Sequence, residues 1–278
     1  MPGKAGKQRK GGFRVSCRKT IMDKNNFIDE LKYSVGGSNY PVNAYITIYN
    51  PYVYEVRDFG EDLYYSVLNL FVRKPYDIAV ELFDKKIDYQ SVSDWDLFFE
   101  IAAKIPVELS CILFGKLNFM DFVPCINPEN GFKCLVNQHD PGICIDEAVY
   151  RKIAAYLRYI HFISEKVEYD VGNSMAKKFL IDRMRRKREK LAKDLEAGKR
   201  KSCSSISSMI KYCVNNAGFK YDYETVMNLK LNLLYESYYM IAHDKERDHV
   251  LSGVYHGTID TAKMKDKNIL SMIPDLHP

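Results

Sequence analysis

Hydrophobic positions along this chain recur mostly with a helical period, broken by two short regions that alternate. Phe27, Ile28 and Leu31 share one side of a short helix predicted over residues 23–34, which Gly36-Gly37 stops. VNAYITIY (42–49) alternates as a strand does, and Asn50-Pro51 breaks it. YVYEVRDF (52–59) reads as a second extended piece that would pair with the first. From Glu61 the period is helical: EDLYYSVLNLFVR sets Leu63, Val67, Leu70 and Phe71 on one stripe. Pro75 ends that helix and suits the first position of the next, PYDIAVELFDKK. Ser93 is the expected N-cap of SDWDLFFEIAAKI, with Asp96 three residues on and Trp95, Phe98, Phe99 and Ala102 toward the core.

Residues 117–145 read as a small antiparallel sheet. LNFMDFVPCI and FKCLV are joined by NPENG, and GICI supplies a third strand. Asp146 then caps a helix over 147–164 whose stripe is Val149, Ile153, Tyr156 or Leu157, Ile160 and Ile163. A long polar helix is predicted over 175–197, opened by Gly172-Asn173-Ser174 and closed by Gly198. Its apolar residues are sparse: Phe179, Leu180, Met184, Leu191 and Leu195. A short helix within 202–216 and a long one over about 230–253 complete the pattern, with Gly253, Gly257 and Asp260 marking the end. The fold class is therefore α+β. A basic tail (1–20), expected to be flexible, precedes a mixed domain (21–165) of helices with short antiparallel strands, and an all-helical module (174–273) follows.

Charge sharpens the picture. Residues 1–20 hold seven Lys/Arg and no acidic residue, and residues 177–201 hold twelve Lys/Arg against four Asp/Glu. The whole chain is only +5, so the remainder is net acidic. Two cationic appendages on an acidic, apolar-rich body point to binding or assembly and away from small-molecule chemistry. The candidate binding residues are Lys177, Lys178, Arg183, Arg185, Arg186, Lys187, Arg188 and Lys190. Arg183, Arg186, Lys187 and Lys190 sit at i, i+3, i+4 and i+7, with Arg185 and Arg188 flanking. Such a row suits a phosphate backbone, a solvated face, or docking onto the acidic body of a neighbouring subunit.

Other constellations carry less. Cys125, Cys134, His139 and Cys144 are separated by nine, five and five, unlike the paired ligands of structural zinc sites, so no metal is expected. His243, His249 and His256 lack the i, i+4 spacing of helical ligation. There is no nucleophile elbow and no phosphate loop, so neither an enzyme nor a cofactor is expected. The seven scattered cysteines read as reduced thiols, and no stretch is apolar enough to span a membrane. The C-terminal helix order suggests a helix-turn-helix, but its last helix is rich in Tyr and Leu where a reading helix carries Arg, Asn or Gln.

The ordering of LYYSVLNLFVRKPYDIAVELFDKKIDYQSVSDWDLFF (63–99), ILFGKLNFMDF (112–122), ICIDEAVYRKIAAYLRYIH (143–161), the basic stretch at 176–201 and the module at 217–260 resembles a family of uncharacterised proteins. These are encoded in the tail-gene region of tailed bacteriophages and prophages, mostly of Gram-positive hosts. The resemblance implies a non-enzymatic morphogenesis protein in the host cytoplasm or the virion. It would be a tail-assembly factor of the chaperone type, holding tape-measure or tail-tube subunits, with self-association as a further expectation. The segment MPGKAGKQRKGG lies outside that pattern. The alternative is a nucleic-acid-binding accessory protein using the tail and the basic helix.

Overall fold

The computed structural model describes residues 31–127, 131–164, 173–198, 206–264, 268–274 and 276. The basic tail, residues 23–30 of the first predicted helix, the tip of NPENG and Lys199, Arg200 and Lys201 lie outside the described residues. The fold is α+β. Among the described residues, nine α-helices accompany a two-stranded and a three-stranded antiparallel sheet.

Leu31–Val35 is a single π-helical turn, all that is described of the predicted first helix. In the alternating region only Thr47–Ile48 (β2) is strand, paired with Tyr40–Pro41 (β1) and not with 52–59. The 52–59 segment is a helix, Val53–Phe59 (α1), against the extended reading. The reason is local: Glu55 Oε2 accepts from the Tyr52 backbone N–H at 2.7 Å, an N-terminal latch no strand would make. Val53 and Val56, three apart, then bury one side, and Gly60 at φ 98 ends the turn.

Glu61–Val72 (α2) follows, rotated from its expected face. Tyr64, Val67, Leu68, Phe71 and Val72 are buried, while Leu63 is 42% exposed. Only Ala79–Asp84 of PYDIAVELFDKK is α-helix (α3), preceded by a 3-10 turn at Pro75–Ile78. Asp94–Ala102 (α4) starts as expected: Ser93 Oγ accepts from Asp96 N–H at 3.0 Å, and Asp96 Oδ2 accepts in return from Ser93 N–H at 3.1 Å. Val107–Phe114 (α5) leads to strands Phe122–Ile126 (β3), Lys133–Asn137 (β4) and Cys144–Ile145 (β5), in the order β3-β4-β5. Glu147–Ile160 (α6), capped by Asp146 as expected, buries Tyr150 and Ala154 besides Ile153, Tyr156, Leu157 and Ile160.

The remaining helices are Ser174–Glu196 (α7), Ile206–Val214 (α8) and Leu231–Tyr255 (α9). One continuous apolar cluster runs from Val42 to Tyr235 and takes in Ile206, Met209, Ile210 and Cys213 of α8 and Leu231 and Leu234 of α9. Backbone bonds tie the start of α9 to the start of α1: Leu231 N–H donates to Pro51 O and Val53 N–H to Leu229 O, each at 2.9 Å. Beneath them runs a buried polar chain, in which Asn50 Nδ2 donates to Asn232 Oδ1 (2.7 Å) and Asn232 Nδ2 to Ser34 O (2.9 Å). A second, smaller cluster is separate. It joins Ala79, Val80, Leu82 and Tyr89 to Ile181 of α7. No helix among the described residues is long and apolar enough to cross a membrane.

Candidate basic-helix interface

Helix α7 begins where expected because Asn173 Oδ1 accepts from Ala176 N–H at 2.7 Å. Gly198, at φ 64 and donating its N–H to Leu195 O, closes it. Its one fully buried residue is Ile181, which the sparse apolar pattern did not single out. Leu180 and Met184 pack beside it.

The eight candidate cations divide into two sets. Lys177, Arg185 and Arg188 are spent within the chain, on the helix side that faces α3. Lys177 Nζ meets Asp88 Oδ2 at 2.5 Å, Arg185 meets Asp84 at 2.6 Å, and Arg188 meets Glu81 at 2.7 Å while donating to Asp77 O at 2.7 Å. Asp88 and Glu81 register their partners. The Lys177 hydrogen bond holds Asp88 below the ordinary carboxylate range; partial burial raises Glu81, but Arg188 brings it below its ordinary value overall. Lys178, Arg183, Arg186, Lys187 and Lys190 are exposed, and none has an acidic partner within ion-pair distance among the described residues. At 100° per residue, Arg183, Arg186 and Lys190 fall on the outer face with Met175 and Phe179, themselves about 70% exposed. The acidic surface met by this helix thus lies in its own chain.

The other constellations lie away from this helix. Cys125 and Cys134 are ladder partners, Cys144 pairs with Val136, and His139 approaches Asp121 at 3.7 Å. His243 Nε2 bonds Ser271 O, and His256 Nδ1 bonds Ser252 O within its own helix. Among the described residues no three His, Cys, Asp or Glu side chains converge as metal ligands do. A cavity of about 750 Å³ lies beside the α1–α9 junction, where Lys230 Nζ donates to Asn50 O at 2.7 Å and sits 3.5 Å from the Tyr52 ring centroid. Burial lowers the Lys230 ammonium. A smaller apolar cavity of about 360 Å³ lies between α1 and α8, lined by Val53, Ile206, Ile210 and Met227.

Sequence reasoning passed over one further polar site. His161, wholly buried at the end of α6, donates from Nδ1 to Leu157 O at 2.7 Å and accepts from Tyr64 OH at Nε2, 2.6 Å away. Burial depresses it to about 4. Tyr65 and Tyr235 join their hydroxyls beside it, linking α2 to α9. The isolated His161 in a helix-end sequence carried no signal of this.

No curated protein and no solved structure matches the chain. Residues 198–273, which begin immediately after α7, match a family model described as the YomV second domain. That match covers about a quarter of the chain and suggests a relation to phage proteins through the C-terminal module.

Proposed function

We propose that this protein is a non-enzymatic factor in phage morphogenesis, acting through protein–protein contacts during tail assembly. The observation that carries the reading is the phage-associated module at 198–273 standing next to a basic helix that packs on α3 of its own chain. Helix α7 buries Ile181 on α3 and frames that contact with ion pairs to Asp88, Asp84 and Glu81. An apolar strip with a charged frame gives affinity from burial and orientation from charge. A chaperone-type role, holding tape-measure or tail-tube subunits until they polymerise, fits a surface of this kind.

The test is an affinity pull-down of the full chain from phage-producing cells at about 150 mM salt, with and without nuclease. Tape-measure or tail-tube protein recovered after nuclease supports the reading. Its absence, with phage yield unchanged on deletion of the gene, overturns it. One observation favours a second reading: Arg183, Arg186 and Lys190 form an exposed row without carboxylate partners among the described residues, the geometry of a phosphate-tracking face. If nucleic acid is recovered and binding falls steeply between about 50 and 200 mM salt, the accessory nucleic-acid role replaces the first.

A further inference from the structure

The cavity of about 750 Å³ beside the α1–α9 junction is lined from three elements. Helix α1 turns Val53 and Val56 into the core, so the opposite side of the same helix, Tyr54, Glu55, Asp58 and Phe59, lies along the cavity. Ile112 of α5, Lys116 just beyond that helix and Lys230, the residue that opens α9, also line it. Its volume is within the range of small-molecule sites. Tyr54, Phe59 and Ile112 are half-buried and give it apolar walls.

Four of the lining side chains carry charge, and they do not cancel. Asp58 is taken by Arg57, 2.7 Å away. Glu55 holds the Tyr52 N–H; it favours the Lys230 charge through space without reaching ion-pair distance. Neither Lys116 nor Lys230 has a carboxylate within ion-pair distance among the described residues. Two cations therefore stand against one free carboxylate. Lys230 is the better anchored of the two: its Nζ donates to Asn50 O at 2.7 Å and sits 3.5 Å from the Tyr52 ring centroid. Those contacts fix the ammonium, and neither partner is an anion. Burial lowers it from its ordinary value, because a desolvated cation without a counter-ion is costly; a bound anion relieves that cost.

We propose that this cavity binds a monocarboxylate with an aromatic or aliphatic body, the carboxylate meeting Lys230 with the exposed Lys116 beside it and the body lying against Tyr54, Phe59 and Ile112. A single negative charge matches the surplus of one cation. A dianion would leave its second charge beside Glu55, and a cationic ligand would meet Lys230. The same chemistry is carried by a free small acid and by the last residue of a peptide chain. Lys230 belongs to the module at 198–273 whereas α1 and α5 do not, so an occupant touches both sides of the junction and raises the melting temperature as it saturates. This site goes beyond the protein-contact reading and does not depend on it.

The experiment is a calorimetric titration of the purified full chain with N-acetylphenylalanine and, as control, its amide, which has the same shape without the charge. At about 50 mM salt the acid binds saturably and the amide at least about tenfold more weakly. Methyl spectra place the ligand without any substitution: the Ile112 resonance moves on binding, and that of Ile181, in the small cluster under α7, does not. Lys230→Met keeps the aliphatic stem, loses the charge and weakens the acid by about tenfold, with the fold checked by its melting curve. Lys116→Ser, at an exposed position, weakens it by about threefold. A short peptide ending in Phe, with a free or an amidated terminus, distinguishes the sources. Binding of its free-acid form supports the site and assigns it to a chain terminus; exclusion of the peptide while the small acid binds supports it and assigns it to a free acid. No saturable binding of either acid, equal binding of acid and amide, or an unmoved Ile112 resonance overturns the proposal.

Discussion

Acid should destabilise this protein through a single buried imidazole. His161 is neutral in the folded state. Its Nδ1–H donates to Leu157 O, so Nε2 is the acceptor for Tyr64 OH, and burial holds the ring at about 4 against an ordinary 6.5. In the unfolded chain the same ring takes up a proton as pH falls below about 6.5, while the folded protein refuses it down to about 4. The unfolded state therefore binds more protons throughout that window, and stability falls as pH falls. At about 1.4 kcal/mol per pH unit, this group alone removes on the order of 3 kcal/mol between pH 7 and pH 4. The paired carboxylates of Asp88, Asp96 and Glu81, held below their ordinary range, add losses of the same sign at lower pH. The informative quantity is thus the difference between wild type and His161→Gln, whose amide oxygen offers Tyr64 an acceptor but binds no proton. Urea unfolding at half-unit steps from pH 7.5 to pH 4 measures it. The variant is the less stable near neutrality, and the gap narrows by about 3 kcal/mol as pH 4 is approached. A gap that stays constant with pH would refute the assignment of a neutral, shielded His161.

Three further perturbations test the packing. Asn232→Leu strands Asn50 Nδ2 in the core, leaves Ser34 O only its Gly37 N–H donor, and should cost about 2–4 kcal/mol by urea unfolding, with part recovered when Asn50 is also made Leu. Ile181→Ala removes the one α7 side chain buried in the small cluster. By amide hydrogen exchange it should speed opening of α7, consistent with a loss of about 2–4 kcal/mol locally, while α6 exchanges as before. Gly115→Ala places a methyl 2.8 Å from the Tyr49 ring at a backbone φ of +61, and the melting temperature should drop by several degrees, about 1–3 kcal/mol. An unchanged melting temperature would mean that Tyr49 swings away freely.

The sequence by itself determined the features that local chemistry controls. Ser93, Asp146 and Asn173 announced three helix starts because a side-chain oxygen satisfying an exposed N–H needs only a few neighbouring residues. The α+β class, a small three-stranded antiparallel sheet within 117–145 and the basic helix followed from periodicity and turn residues in the same way. What needed the tertiary structure was every choice between faces or between equal local options. YVYEVRDF alternates like a strand; the Glu55 latch is local, but the burial of Val53 and Val56 that completes α1 is tertiary. Tyr64 displaced Leu63 from the core of α2 because His161, ninety-seven residues away, takes its hydroxyl. Eight cations looked alike along α7; only the approach of Asp88, Asp84 and Glu81 separated the three paired inside the chain from the five that stay exposed. The physical reason is common to all of these. A capping bond is written within one turn of chain, whereas the side on which a side chain is desolvated, and the charge it meets there, depend on residues that sequence distance hides and folding brings together.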